Sequence, residues 1–128
     1  MNFKESRPIY LQIADRLMDE IAHGVYAEGA RVPSVREYAA MVEVNANTVV
    51  RSFDWLQQHN VIFNRRGIGY FVADGACSTV RNLHLQEFET NELPELFRRM
   101  DALNLTPADI SRLYDEYKNQ NYKNINQQ

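Results

Sequence analysis

Cysteine is nearly missing from this chain. Cys77 stands alone among 128 residues, so no internal disulfide can form, and between Ala76 and Ser78 nothing activates its thiol. Histidines are few and scattered: His23, His59 and His84 show no i, i+4 pairing, so a metal site has no ligand spacing and no cofactor is expected. No Ser-His-Asp, Cys-His or paired-carboxylate arrangement stands out, and no glycine-rich loop follows a strand to cradle phosphate. Catalysis is therefore not expected. Long apolar runs are lacking as well, because none reaches the roughly 18 residues of a membrane span. The opening "MNFKESRPIY" has no apolar core of a secretory signal, and a cytoplasmic location is the simplest expectation. A hydrophobic content of 45% with 24% charged residues fits a soluble globular protein. The length allows one ordinary domain, or a compact domain with a small helical appendage.

Positive charge is also in short supply, since the net charge is −3. That argues mildly against nucleic acid as a partner until its distribution is examined. Residues 1–30 carry −2, residues 31–70 carry +2 and residues 71–128 carry −3. A local surplus this small means that affinity for phosphates has to come from a few placed arginines, from two protomers acting together and from helix N-termini.

Residues 8–23, "PIYLQIADRLMDEIAH", place Ile9, Ile13, Leu17 and Ile21 at helical spacing, with Pro8 in a first turn and Gly24 as the stop. A glycine-containing loop then leads to Ser34, followed by Glu37. That pair is a capping box and predicts a second helix burying Val35, Tyr38, Ala39 and Val42. Only Glu43 and Val44 separate it from Asn45, where a third helix begins. From Val49 the apolar positions recur at Phe53 and Leu56, the i, i+4, i+7 pattern of one buried face. Asn47, Thr48, Arg51, Asp54 and Gln58 fall on or near the opposite face. Two short helices joined by a tight turn, the second offering amide, hydroxyl and guanidinium groups from its front end, form a helix-turn-helix suited to the DNA major groove.

After the third helix, Asn60 sits where a left-handed residue ends a helix. The run "VIFNRRGIGYFVA" reads as two strands around a turn at Arg66-Gly67-Ile68-Gly69. A lone hairpin is barely stable, so it has to pack on the three helices. The expected fold is mainly α with a small β-hairpin: a winged helix-turn-helix over residues 1–75, followed by a short helical dimerisation region over 76–120. Residues 121–128, rich in Asn and Gln, are expected to be a disordered tail. In the second region Phe88, Leu96, Met100 and Leu103 are part of an apolar stripe, interrupted by Pro94, which is expected to kink or restart the helix. Thr106 as N-cap and Pro107 at N1 open another helix, whose stripe is Ile110, Leu113, Tyr114 and Tyr117. Helices this short cannot close a core alone, so Leu96, Phe97, Met100, Leu103, Ile110, Leu113, Tyr114 and Tyr117 are assigned to dimerisation and a homodimer is expected.

The ordered segments "Y-x-Q-I" from Tyr10, "G-x-x-(hydrophobic)-P-S-x-R-E" from Gly29 to Glu37, "V-N-x-N-T-V" from Val44 and "R-R-G-x-G-x-F-V" from Arg65 are specific. Together, over residues 8–73, they resemble the DNA-binding domain of the GntR family of bacterial transcription regulators. The Asn-x-Asn-Thr form and the short two-helix tail look like the YtrA subfamily. The resemblance implies a third helix in the major groove, a wing on the backbone or minor groove, and dimers, more often repressors, on palindromic double-stranded DNA operators. Carried over by position, it assigns DNA contact to Arg36, Asn45, Asn47, Thr48, Arg51, Arg66 and Gly67; Ser34 at the front of the second helix, and Arg65 and Gly69 beside the wing tip, are added as candidates from their place in the chain. Three departures stand out. Ala46 replaces a frequent proline, Ile68 replaces a frequent wing lysine, and Val50 stands where many other subfamilies have arginine.

Bland readings accompany these assignments. Arg51 can also pair with Asp54 at i, i+3 when DNA is absent, Asn45 is a cap first and a DNA contact second, and Trp55, off the buried face, is either boundary packing or a partner contact. A winged-helix protein-interaction module without specific DNA binding is the alternative function, and structured RNA a third. Neither the operator nor any small-molecule effector is specified by these residues.

Overall fold

The computed structural model describes residues 7–126. Their order is α1 (Ile9–Ala22), α2 (Val35–Val42), α3 (Ala46–Gln58), β1 (Ile62–Arg65), β2 (Gly69–Val72), α4 (Ala76–Glu87), α5 (Leu93–Leu103) and α6 (Pro107–Asn126). A π-helical turn, Phe88–Glu92, lies between α4 and α5. The fold is thus mainly helical with one antiparallel hairpin, registered Ile62 to Val72 and Arg65 to Gly69. No helix among the described residues is long and apolar enough to cross a membrane.

The helices of the first unit are bounded by chain-local devices. Ser34 opens α2 with a full capping box: its hydroxyl accepts the Glu37 N–H at 3.1 Å, and its own N–H donates to the Glu37 carboxylate at 3.3 Å. Hydrogen bonding to Ser34, side chain first and backbone second, holds the Glu37 carboxyl below the usual carboxylate range. At the other end Glu43 adopts a left-handed φ of 59°, and the Val44 N–H reaches back to the Ala39 carbonyl at 3.1 Å. The same closure ends α3, where Asn60 has φ 62° and the Val61 N–H donates to the Leu56 carbonyl at 2.9 Å. Removing the Ser34 hydroxyl frees an N–H at the α2 front, so Ser34→Ala is expected to destabilise the protein by about 1 kcal/mol. Urea unfolding measures this, and an unchanged midpoint with an unchanged slope would refute the capping role.

The core is built from one stripe of each helix and the inner face of the hairpin. Ile13, Leu17 and Ile21 of α1 meet Tyr38 and Val42 of α2, Val49, Phe53 and Leu56 of α3, and Ile62 and Val72 of the strands, all buried. Phe53 sits at the junction, its ring centroid 6.0 Å from that of Tyr38 and 4.9 Å, edge-on, from that of Tyr70. The Tyr38 hydroxyl donates to Glu20, and burial first, then that hydrogen bond, pushes the Tyr38 pKa up. Ile9 departs from the expected stripe, being 49% exposed. It begins α1, and the buried side starts one turn later at Gln12 and Ile13, which Ala14 and Met18 widen. Val35 is likewise only partly buried.

Residues 29–32 supply a third, short line of pairing that the sequence pattern did not reveal. The Gly29 and Val32 N–H groups donate to Val72 and Tyr70 carbonyls at 2.9 and 3.0 Å, and the Val72 N–H donates to Ala30 at 2.9 Å. This occupies the free edge of β2 and gives the hairpin the extra strand contact it needs. The chain divides into two compact units between Leu85 and Gln86, ten residues beyond the boundary expected at 75. Ala76 and Val80 of α4 are buried in the core of the first unit, which extends it past the wing.

In the second unit, Pro94 follows the π-helical turn and sits in the first turn of α5, where its missing N–H costs least. Asn104 ends α5 at φ 56°, and Thr106 caps α6 through its hydroxyl, 3.2 Å from the Asp109 N–H. The α6 helix extends to Asn126, into the segment expected to be a tail, and residues 127–128 lie outside the described residues.

Candidate nucleic-acid interface

The front of α3 is fixed at three points. The Asn45 side-chain oxygen accepts the Asn47 N–H at 2.8 Å, which leaves the two Asn45 amide hydrogens facing solvent. Val49, Phe53 and Leu56 anchor the inner face. Ser52, also buried, donates its hydroxyl proton to the Tyr10 carbonyl at 2.7 Å, with the Thr48 carbonyl 3.1 Å away. That bond ties α3 to the first turn of α1. The residues left outward are Asn47, Val50, Arg51, Asp54 and Gln58, all exposed, with Thr48 half-buried.

An open cleft of about 320 Å³ lies along this front, lined by Pro8, Ile9 and Tyr10 of one segment and by Asn47, Thr48 and Arg51 of the other. Its walls carry amide, hydroxyl and guanidinium groups beside apolar surface, the mixture that meets base edges and methyl groups. Arg51 lies over the Tyr10 ring, 4.2 Å from its centroid, rather than against Asp54. The Ser52 bond explains this, since it brings the start of α1 to the side of α3 where Arg51 emerges. Sequence periodicity places Arg51 outward but carries no information about which distant ring meets it.

The remaining assigned residues sit on the edges of the same unit. Arg36 is exposed in the first turn of α2, where a cation is mildly unfavourable against the positive end of the helix dipole. Ser34, two residues earlier at the N-cap, spends its oxygen on the cap and keeps its proton for an external acceptor. At the wing, the tip is Arg66-Gly67-Ile68, closed by the Ile68 N–H donating to the Arg65 carbonyl at 2.9 Å, with Gly67 at φ 79°. Arg66 is exposed there. Arg65 lies back along the hairpin, its guanidinium 4.9 Å from the Phe71 ring centroid and 5.6 Å from that of Phe63, and those two rings stack at 5.7 Å.

Arg31, which the sequence pattern did not single out, lies beside the wing residues. A side chain on Gly69 would begin 2.9 Å from the Arg31 Nε, so the guanidinium crosses the hairpin where β2 has no Cβ. The missing signal was the pairing of residues 29–32 with β2, hidden by a composition of Gly29 and Pro33 that reads as loop. Trp55 is partly buried and stacks on His59 at 3.9 Å, as boundary packing requires.

Residues 9–72 match the family model described as bacterial regulatory proteins, gntR family. Among solved structures, a transcriptional regulator of the GntR family from Bacteroides thetaiotaomicron is 45% identical, with a TM-score of 0.80 over 89% of this chain and 99% of that one. The HTH-type transcriptional regulator YhcF of Bacillus subtilis is 35% identical over 84% of this chain and 88% of its own length. The HTH-type transcriptional repressor YtrA of the same species is 32% identical over 60% of this chain and 59% of its own.

Proposed function

The chain belongs to the GntR family, as one of its YtrA-like members, and is a DNA-binding transcription regulator rather than an enzyme; from that premise we propose a dimeric repressor that binds a palindromic operator. The observation that carries this reading is the front of α3, where Asn47 and Arg51 are exposed and Thr48 lies half-buried beside them. Arg51 is suited to the O6 and N7 acceptors of guanine and Asn47 to the N6 and N7 of adenine, with Thr48 at the edge of the cleft. Asn45, Ser34, Arg36, Arg65, Arg66 and the backbone of Gly67 and Gly69 serve the phosphates, which fixes the register of α3 in the groove. Repression is supported by the relative named as a repressor.

Dimerisation is supported by the second unit. Phe97 is 53% exposed, Leu103 61% and Tyr117 59%, on stripes shared with Leu96 and Met100 of α5 and with Ile110, Leu113 and Tyr114 of α6. Apolar faces of this kind on short helices are stabilised by a second copy. Two reading heads then sit about one DNA turn or more apart on a two-fold site.

Selection of bound fragments from random DNA tests the whole reading, because a symmetric enriched sequence reports both base preference and dimer geometry. Arg51→Ala is expected to relax preference at one base pair per half-site by about 1–3 kcal/mol. Affinity should also fall steeply as salt rises. A flat preference over random duplex at moderate salt would sink the regulator reading in favour of a protein-interaction module, and displacement by RNA but not duplex DNA would favour an RNA ligand.

A further inference from the structure

We propose that Tyr10 is a positioning residue for base readout: its ring is the platform that holds the Arg51 guanidinium in the orientation from which it reads its base pair. The proposal deepens the reading of Arg51 as a base contact and rests on it. Cation and ring centroid are 4.2 Å apart, a stacking distance, while Arg51 as a whole stays exposed. Stacking occupies a face of the planar guanidinium and leaves the N–H donors, which lie in its plane, at the rim. An exposed arginine without such a surface samples many rotamers, and fixing one on binding costs affinity.

The platform is itself held in place. The buried Ser52 hydroxyl donates to the Tyr10 backbone carbonyl at 2.7 Å, so the backbone that carries the ring is tied to α3 at the residue after Arg51. Just ahead, the Gln12 side-chain amide donates to the Arg7 carbonyl at 2.8 Å, and Arg7 pairs with Asp15 at 2.8 Å. The start of α1 is therefore braced on both sides of Tyr10. Tyr10 and Arg51 also line the same cleft with Asn47 and Thr48, so the stack borders the surface assigned to base contact. Tyr10 is half-buried and is not one of the residues that form the buried core of the first unit.

The test uses the full chain and the duplex enriched by selection from random DNA, together with versions in which each base pair is replaced in turn. Arg51→Ala first identifies the pair that Arg51 reads. At that pair, Tyr10→Leu is expected to reduce the preference by about 3-fold to 10-fold, Tyr10→Phe to keep it, and Tyr10→Leu with Arg51→Ala to lose no more than Arg51→Ala alone. Tyr10→Met serves as a second non-aromatic variant if Tyr10→Leu unfolds, as judged by thermal melting. Equal weakening on every duplex marks Tyr10 as merely structural and overturns the proposal. So does an unchanged or stronger preference in Tyr10→Leu, or a Tyr10→Phe that behaves as Leu. An Arg51→Ala chain that keeps full base preference removes the reading of Arg51 itself, and the proposal falls with it.

Discussion

Phe97→Glu is expected to convert the protein to a monomer and to lower its affinity for a two-half-site duplex by about 100-fold or more, while binding to a single half-site stays unchanged. Phe97 is more than half exposed, on a stripe with Leu96, Met100 and Leu103. In the proposed dimer a carboxylate there would meet either apolar side chains or its own copy across a two-fold axis, and each buried, unpaired charge costs several kcal/mol. Linked half-sites bind more tightly than single ones by roughly 10²–10⁴-fold, because the second contact is intramolecular. Losing the link therefore removes that factor without touching a DNA contact. Sedimentation equilibrium and binding to duplexes with one or two half-sites check both parts. A Phe97→Glu protein that sediments as a dimer at micromolar concentration rejects α5 as the interface.

Phe53→Ala should destabilise the first unit by about 3–5 kcal/mol, the range for deleting a buried phenylalanine. Phe53 is fully buried and its ring is the common neighbour of Tyr38 from α2 and Tyr70 from β2. Alanine leaves a void at the junction of the two helices and the hairpin, and three separate elements would have to move to fill it. Since domains of this size are stable by only about 5–15 kcal/mol, much of the population is at risk, and DNA binding is lost through unfolding rather than through a missing contact. Urea unfolding measures the change. A cost below about 1 kcal/mol would mean that the core collapses around the site and that Phe53 is not the keystone described. Arg51→Ala should leave the unfolding free energy in urea within about 1 kcal/mol of wild type, because it removes one exposed cation–π contact and no core packing.

Much of the first unit was legible because its boundaries are written in adjacent residues. The Ser34–Glu37 box, the Asn45 cap and the left-handed Asn60 are local, so spacing alone located α2 and α3. Period also put Asn47 and Arg51 outward. What periodicity cannot supply is the pairing of residues far apart in sequence. The edge strand at 29–32, the Arg31 guanidinium beneath Gly69 and the Tyr10 ring under Arg51 all depend on such pairings. Ile9 was misjudged for a related reason: its spacing fits the stripe, but the helix starts before the core does. The outward face of α5 and α6 was recognisable as apolar, and helical geometry makes a stripe of that kind on each helix.

Because α3 is delimited by Asn45 in front and Asn60 behind, with closures made by its own chain, its helicity does not depend on any ligand. A signal that alters operator occupancy would then have to displace an intact rod, since melting it means breaking caps and core together. Hydrogen exchange across Val49–Leu56 should accordingly stay slow in both the competent and the released condition.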